Sequence, residues 1–159
     1  MDEVTIPAEL SGPTPWVLSG SGVLRLTVFE IYRVSLYVVR TNVPGRDSPM
    51  MPCALVFQYL RRVRADELIA ATVAEMERVS GDPVPVQWRA ELRALVPDVV
   101  RGDRLTALVD ADGSKLTLYL NGRLLGHLDH PACAAHFVAV WTASSARFPE
   151  LRAALCAGL

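Results

Sequence analysis

Residues 18–40 read Leu18-Ser-Gly20-Ser-Gly22-Val-Leu-Arg25-Leu-Thr-Val-Phe-Glu30-Ile-Tyr32-Arg-Val-Ser-Leu-Tyr37-Val-Val-Arg40. β-branched and aromatic residues crowd this stretch with polar residues between them, which is the signature of strands and predicts two. If the chain turns at Phe29-Glu30, Val28 pairs with Ile31 and Thr27 with Tyr32. Arg25 then lies opposite Val34, on the sheet face of Tyr32 and within diagonal reach of it. Phe-Glu is a poor pair for a tight primed turn, so this register is conditional.

Working outward, the residues before this stretch hold Pro7, Gly12, Pro13 and Pro15 and read as a loose lead-in over 1–17. Thr41 to Pro52 reads as a loop and Ala54 to Leu60 as a short third strand. From Arg64 to Ser80 the period changes. Leu68, Ile69, Thr72, Val73 and Met76 fall on one helical face, Asp66 and Glu67 suit the first turn, and Gly81 is a natural stop. Asp82-Pro83 is expected to open a second helix with Trp88, Leu92, Leu95 and Val96 facing inward, ended by Pro97.

Strands are then expected at Asp103 to Val109, Lys115 to Leu120 and Arg123 to Leu128, with turns at Asp110 to Gly113 and at Asn121-Gly122. Asn-Gly between apolar runs is the strongest short hairpin signal a sequence carries. Pro131 to Trp141 is apolar nearly all round and predicts a buried helix, and Phe148 to Cys156 a last one. Strands, a helix pair, a meander and a second helix pair argue for an α+β fold with helices on one sheet face. The whole of 1–159 reads as one domain.

Composition bounds the function. With 159 residues, 51% hydrophobic and 21% charged, the chain suits one buried core. A net charge of −1 supplies no long-range attraction to nucleic acid or to an anionic membrane surface. The cluster Arg61, Arg62, Arg64 is followed at once by Asp66 and Glu67 and reads as a solvated strand-to-helix junction. The apolar stretch Val23 to Val39 is broken by Arg25, Glu30 and Arg33, whereas a membrane span needs roughly 20 uninterrupted apolar residues. Met1-Asp2-Glu3-Val4 has neither the basic start nor the apolar core of a signal peptide, so a cytoplasmic location is expected. Cys53, Cys133 and Cys156 are an odd, widely spaced set that suits free thiols.

Among charged residues Arg25 is the most informative, because it stands mid-strand between Leu24 and Leu26. An unpaired guanidinium is costly to bury there, so it points to solvent, pairs with a carboxylate, or lines a polar spot in a pocket. His127, His130 and His136 lie near Asp129 and Cys133, but His130 and His136 are six apart and face different sides of a helix. No metal is expected; Asp129 reads as a helix cap. Asp110-Ala-Asp-Gly-Ser resembles the start of a calcium loop, yet position 12 falls on Asn121, where a glutamate is required. Gly20-Ser-Gly22 precedes a strand and offers no phosphate cradle. No cofactor motif or hydrolase, kinase or oxidoreductase constellation is present.

Read together, Gly20-Ser-Gly-Val-Leu-Arg25 and Ile31-Tyr32-Arg-Val-Ser-Leu-Tyr37-Val resemble the opening of the chalcone isomerase-like family, in its bacterial branch. Gly102-Asp103 with Asn121-Gly122-Arg-Leu-Leu-Gly126, and Phe137 to Trp141 with Phe148-Pro149-Glu-Leu-Arg, resemble its meander and C-terminal helix pair. The resemblance implies an open-faced β-sandwich: a large antiparallel sheet, a layer of helices on one face, and a ligand cleft between them. It also implies that Arg25 receives an oxyanion or carboxylate and that Tyr32 stands where the plant enzymes carry threonine. The plant enzymes' helical Tyr, Lys and Asn fall on Leu68, Ala71 and Glu75, and their paired small polar residues near Ala139 and Val140. None is retained. Thr142-Ala143 replaces the Leu-Gly usual after this helix in bacterial relatives.

Two functions follow from the resemblance. The first is a binding protein for an amphipathic acid such as a fatty acid, held by Arg25 and Tyr32, with the tail among Leu36, Val38, Phe57, Leu68, Val73 and Met76. The second is a cofactor-free cyclase acting on a phenolic or polyketide-like substrate by oxa-Michael ring closure. Arg25 would then stabilise negative charge and Tyr32 donate the proton. A scaffold with no ligand is the third reading. Loss of the plant donors favours the first.

Overall fold

Six strands pair in chain order, each antiparallel to the next, and four helices pack over one face of the sheet they make. The computed structural model describes residues 6–39 and 51–159. A short 3-10 turn (Ala8–Leu10) leads into β1 (Trp16–Leu26), β2 (Phe29–Val39) and β3 (Cys53–Tyr59). Helices α1 (Ala65–Ser80) and α2 (Val86–Leu95) follow, then β4 (Arg104–Val109), β5 (Leu116–Leu120) and β6 (Arg123–Leu128), and last α3 (Pro131–Thr142) and α4 (Pro149–Leu155). This is the α+β architecture expected. Of the Thr41 to Pro52 loop, residues 41–50 lie outside the described residues.

The period-2 alternation of strands sorts the side chains. Tyr32, Val34, Leu36 and Val38 of β2 join Leu55, Phe57 and Tyr59 of β3 and Leu105, Ala107 and Val109 of β4 in the core under the helices. The intervening Tyr37, Ala54 and Val56 face the other way and are covered by Leu10 and Trp16. The lead-in is therefore not loose over its length. Leu10 is buried, and the Glu9 carboxylate binds Arg104 and Thr106.

Three local expectations are corrected. The first hairpin turns at Thr27-Val28, with Leu26 paired to Phe29, Arg25 to Glu30 and Leu24 to Tyr32. That turn puts Glu30, not Val34, across from Arg25, and a register shift between Leu24 and Arg25 then sets Leu24 across from Tyr32. This register lets the Arg25 guanidinium bond Glu30 at 2.9 Å and the Arg61 guanidinium sit 4.6 Å over the Phe29 ring. Its cost is a φ of 56° at Thr27, which a β-branched residue rarely adopts. Secondly, α2 begins at Val86 with an extended Pro85 at its N-cap, and ahead of it the Glu77 carboxylate accepts the Val84 N–H at 2.9 Å. Thirdly, His130, not Asp129, is the N-cap position of α3, and its side chain makes no capping bond. Asp129 instead meets His127 at 3.2 Å.

The other boundaries match their signals. Gly81 ends α1 in the left-handed conformation, its N–H returning to the Glu77 carbonyl. Asn121 and Gly122 take φ values of 52° and 84°, as a primed turn requires. Across β1 lies α4, and the approach is so close that only glycine fits beneath it. A Cβ on Gly20 would stand 1.8 Å from the Ala154 carbonyl oxygen.

Candidate functional site

Between the open end of the sheet and α1 lies a cavity of about 540 Å³, within the range of small-molecule sites. Its floor is the sheet, through Leu24, Tyr32, Phe57, Tyr59, Leu105 and Leu118. Phe137, Val140 and Trp141 of α3 close one side, and one stripe of α1 forms the roof. That stripe runs Leu68, Ala71, Thr72, Glu75, the spacing of one helix face. Leu68 is partly accessible here and Ala71 exposed.

An aromatic cluster organises the floor. Tyr32 meets Phe57 and Tyr59 edge-on, with ring centroids 5.1 and 5.9 Å apart, and Trp141 packs against both Phe57 and Phe137. Such geometry sets ring edges against ring faces and holds the wall rigid. The Trp141 indole N–H donates to the Tyr32 hydroxyl at 2.8 Å, which leaves the phenolic proton itself available. Burial pushes the Tyr32 phenol up to about 12, partly opposed by the Trp141 bond. Tyr59 is driven higher still by burial and by its neighbour Tyr32. Both are neutral donors at any ordinary pH.

Charge gathers at the border instead. Arg61, Arg62 and Arg147 line the cavity together with Glu67 and Glu75. Glu75 is occupied by Arg78 at 2.8 Å and by Arg147 at 3.3 Å, which ties α1 to the link before α4. Arg61 and Arg62 make no ion pair among the described residues.

The expected site residues divide sharply. Tyr32, Phe57 and Leu68 are brought together in the cavity. Leu36, Val38, Val73 and Met76 are packed into the sealed core. The helical face expected over Leu68 to Met76 divides: Val73 and Met76 turn to the core, Leu68 and Thr72 line the cavity beside Ala71 and Glu75, and Ile69 does both. Arg25 lies outside it. Its side chain is 62% exposed and bound to Glu30, and the β1 residue across from Tyr32 is Leu24. Of the three possibilities for a mid-strand arginine, two are met together: the side chain reaches solvent and pairs with a carboxylate there.

Tyr59, Trp141 and the bordering arginines were not read as site residues. Tyr59 follows Phe57 at strand spacing and was legible as a core-face position. Trp141 sits 109 positions beyond its partner Tyr32, and no local pattern joins them. Among the described residues no His, Cys, Asp and Glu group is arranged to hold a metal, and the three cysteines are free. Nor is any described helix long and apolar enough to cross a membrane.

A six-stranded antiparallel sheet, helices on one face and a ligand-sized cavity between them define a helix-layered open sandwich. The sequence profile of the family described as chalcone isomerase-like matches residues 2–156, and the chain belongs to that family. Among solved structures the fold is similar to that of a fatty-acid binding protein from Arabidopsis thaliana. The TM-score is 0.72 over 95% of this chain and 90% of that one, at 13% sequence identity. No curated protein matches the chain in sequence.

Proposed function

We propose that the chain binds an amphipathic small molecule, with a fatty acid as the first candidate. The observation that carries this reading is the cavity itself: an apolar space of about 540 Å³ with aromatic walls, a few interior hydroxyls and arginines at its border. An acyl chain gains by leaving water for such walls at about 25 cal/mol per Å² of apolar surface. A carboxylate is suited to the guanidinium fork of Arg61 or Arg62, which no carboxylate of the described residues occupies. The fatty-acid binding activity named for the Arabidopsis protein of like fold points the same way. In this reading Tyr32 and Tyr59 contact the buried part of the ligand. Arg25, already held by Glu30, contributes charge at a distance only.

Displacement of a fluorescent fatty acid tests the proposal. Wild type is expected to bind, Ala71→Trp to lose binding by filling the roof, and Arg61→Ala/Arg62→Ala to weaken it by about tenfold, a loss of about 1.4 kcal/mol. Arg25→Ala should leave affinity within about twofold, since its guanidinium serves Glu30. No binding by wild type, or equal binding by Ala71→Trp, would sink the cavity as the site.

One observation favours the second reading, a cyclase. Two neutral phenols, Tyr32 and Tyr59, stand side by side in an apolar cavity, where donors to a developing enolate oxygen are strongest. This reading predicts turnover of a phenolic substrate that Tyr32→Phe reduces by at least tenfold in kcat while KM changes little.

A further inference from the structure

The β1–β2 hairpin carries apolar side chains out into solvent at the border of the cavity. Val28 is 87% exposed, Phe29 53% and Leu26 43%, on three of the four residues that form the turn. Nothing in the hairpin's own folding calls for this: Val28 sits at the tip, where a polar turn residue would serve. Leu26 belongs to both features, since it is exposed on the hairpin and lines the cavity.

Basic charge surrounds the tip. Arg25 flanks it on β1, Arg61 lies over the Phe29 ring, and Arg62 follows on the cavity border. Several acids at this end of the sheet are engaged, and Glu67 shares the cavity border with Arg61 and Arg62. Glu30 holds Arg25, Asp98 takes the Ala65 N–H at 2.7 Å, and Asp103 takes the Val100 N–H at 2.9 Å and the Asn121 amide at 3.0 Å. Arg61, Arg62 and Arg64 have no ion pair among the described residues. The formal net charge of −1 conceals this concentration.

We propose that the β1–β2 hairpin is a membrane-docking element: Leu26, Val28 and Phe29 enter the interfacial layer of an anionic bilayer while Arg61 and Arg62 meet its lipid phosphates. A small apolar wedge ringed by arginines matches that interface, where apolar burial and attraction to anionic headgroups add. A protein partner fits less well, because a protruding two-residue turn offers far less than the roughly 800 Å² per side of a stable interface. Docking stands on the hairpin and its charges. Its purpose, loading the cavity from the bilayer, rests on the ligand-binding reading above.

Flotation of the full chain with vesicles tests it, using phosphatidylcholine alone and phosphatidylcholine with about one-third phosphatidylglycerol. Wild type is expected to partition at least tenfold more onto the anionic vesicles, and high salt to reduce that. Val28→Asp/Phe29→Asp should lower partitioning about tenfold, and Arg61→Gln/Arg62→Gln should erase the preference for anionic lipid. Val28→Ser/Phe29→Ser replaces the aspartate pair if that variant melts below wild type. The proposal is overturned if wild type ignores anionic vesicles at low salt, or if both tip variants float as wild type does. It is equally overturned if sedimentation shows wild type to be a dimer that tip variants dissociate, since the hairpin would then meet a second copy. Ala71→Trp separates the two ideas. It should lose the fluorescent fatty acid and keep its vesicle binding, whereas Val28→Ser/Phe29→Ser, which lies outside the cavity and sets no carboxylate against Arg61, should keep fatty-acid affinity in solution.

Discussion

Tyr32 carries two constraints that a reader of the sequence meets separately. Its strand position puts it on the core face, and its hydroxyl, once buried, needs a partner, which Trp141 supplies. Burial raises its pKa to about 12 from an ordinary 10. A raised acid stays protonated when folded while its unfolded counterpart ionises. Its contribution to stability is therefore complete below pH 10 and is lost as pH climbs from 10 towards 12. Tyr59, shifted further in the same direction, adds to that loss. Alkaline unfolding followed by ultraviolet titration should show these two phenols ionising only as the fold opens, and Tyr32→Phe should flatten the fall in stability above pH 10. Free ionisation of every tyrosine near pH 10 with near-ultraviolet dichroism intact would contradict it. Arg25 shows the opposite case. Its type and neighbours restricted it to three fates, and only the turn at Thr27-Val28, which sets Glu30 across from it, selected among them.

Among the elements, β1 shows how much local reading can see. Its strand character and the hairpin that follows were legible, though not the position of the turn. The reason for the glycines was not, because α4 arrives from more than 100 residues away. Gly20 faces a backbone carbonyl that cannot move without shifting the helix, while Gly22 faces the flexible Leu151 Cδ1 at 2.6 Å. Gly20→Ala is accordingly expected to cost about 2–4 kcal/mol and Gly22→Ala about 1 kcal/mol, read from urea unfolding midpoints. The reverse order would mean that α4 is not anchored on β1 as described. Helix α1 teaches a related point. A period of 3.6 marks which residues share a side of the helix, but a side broad enough to meet both core and cavity divides between them, and sequence does not say where.

At the scale of the molecule, the sheet has two faces to cover and, among the described residues, one layer of helices. The other face is closed locally by Leu10 and Trp16, held by the Glu9 carboxylate against Arg104 and Thr106. Burial by itself raises the Glu9 pKa, but hydrogen bonds from Thr106 and the backbone, together with Arg104, outweigh it and hold the carboxyl below its ordinary 4.5. A lowered carboxylate stabilises the fold fully above pH 4.5, and that contribution disappears as pH falls through the lower folded value. Urea unfolding at neutral and at acid pH should therefore show wild type losing more stability on acidification than Glu9→Gln. Equal losses would mean that the segment is held by Leu10 and Trp16 alone.

By itself the sequence determined the order and type of the elements, the antiparallel meander, the burial of α3 and the family. These rest on periodicity, turn chemistry and motif order, all of which act between near neighbours. Tertiary structure alone decided the register at Arg25, the division of α1, the Tyr32–Trp141 bond and the gathering of Arg61, Arg62 and Arg147 around one cavity. Each of these depends on which distant surfaces meet, and a one-residue shift in a strand or a 100° turn of a helix exchanges a core position for a site position.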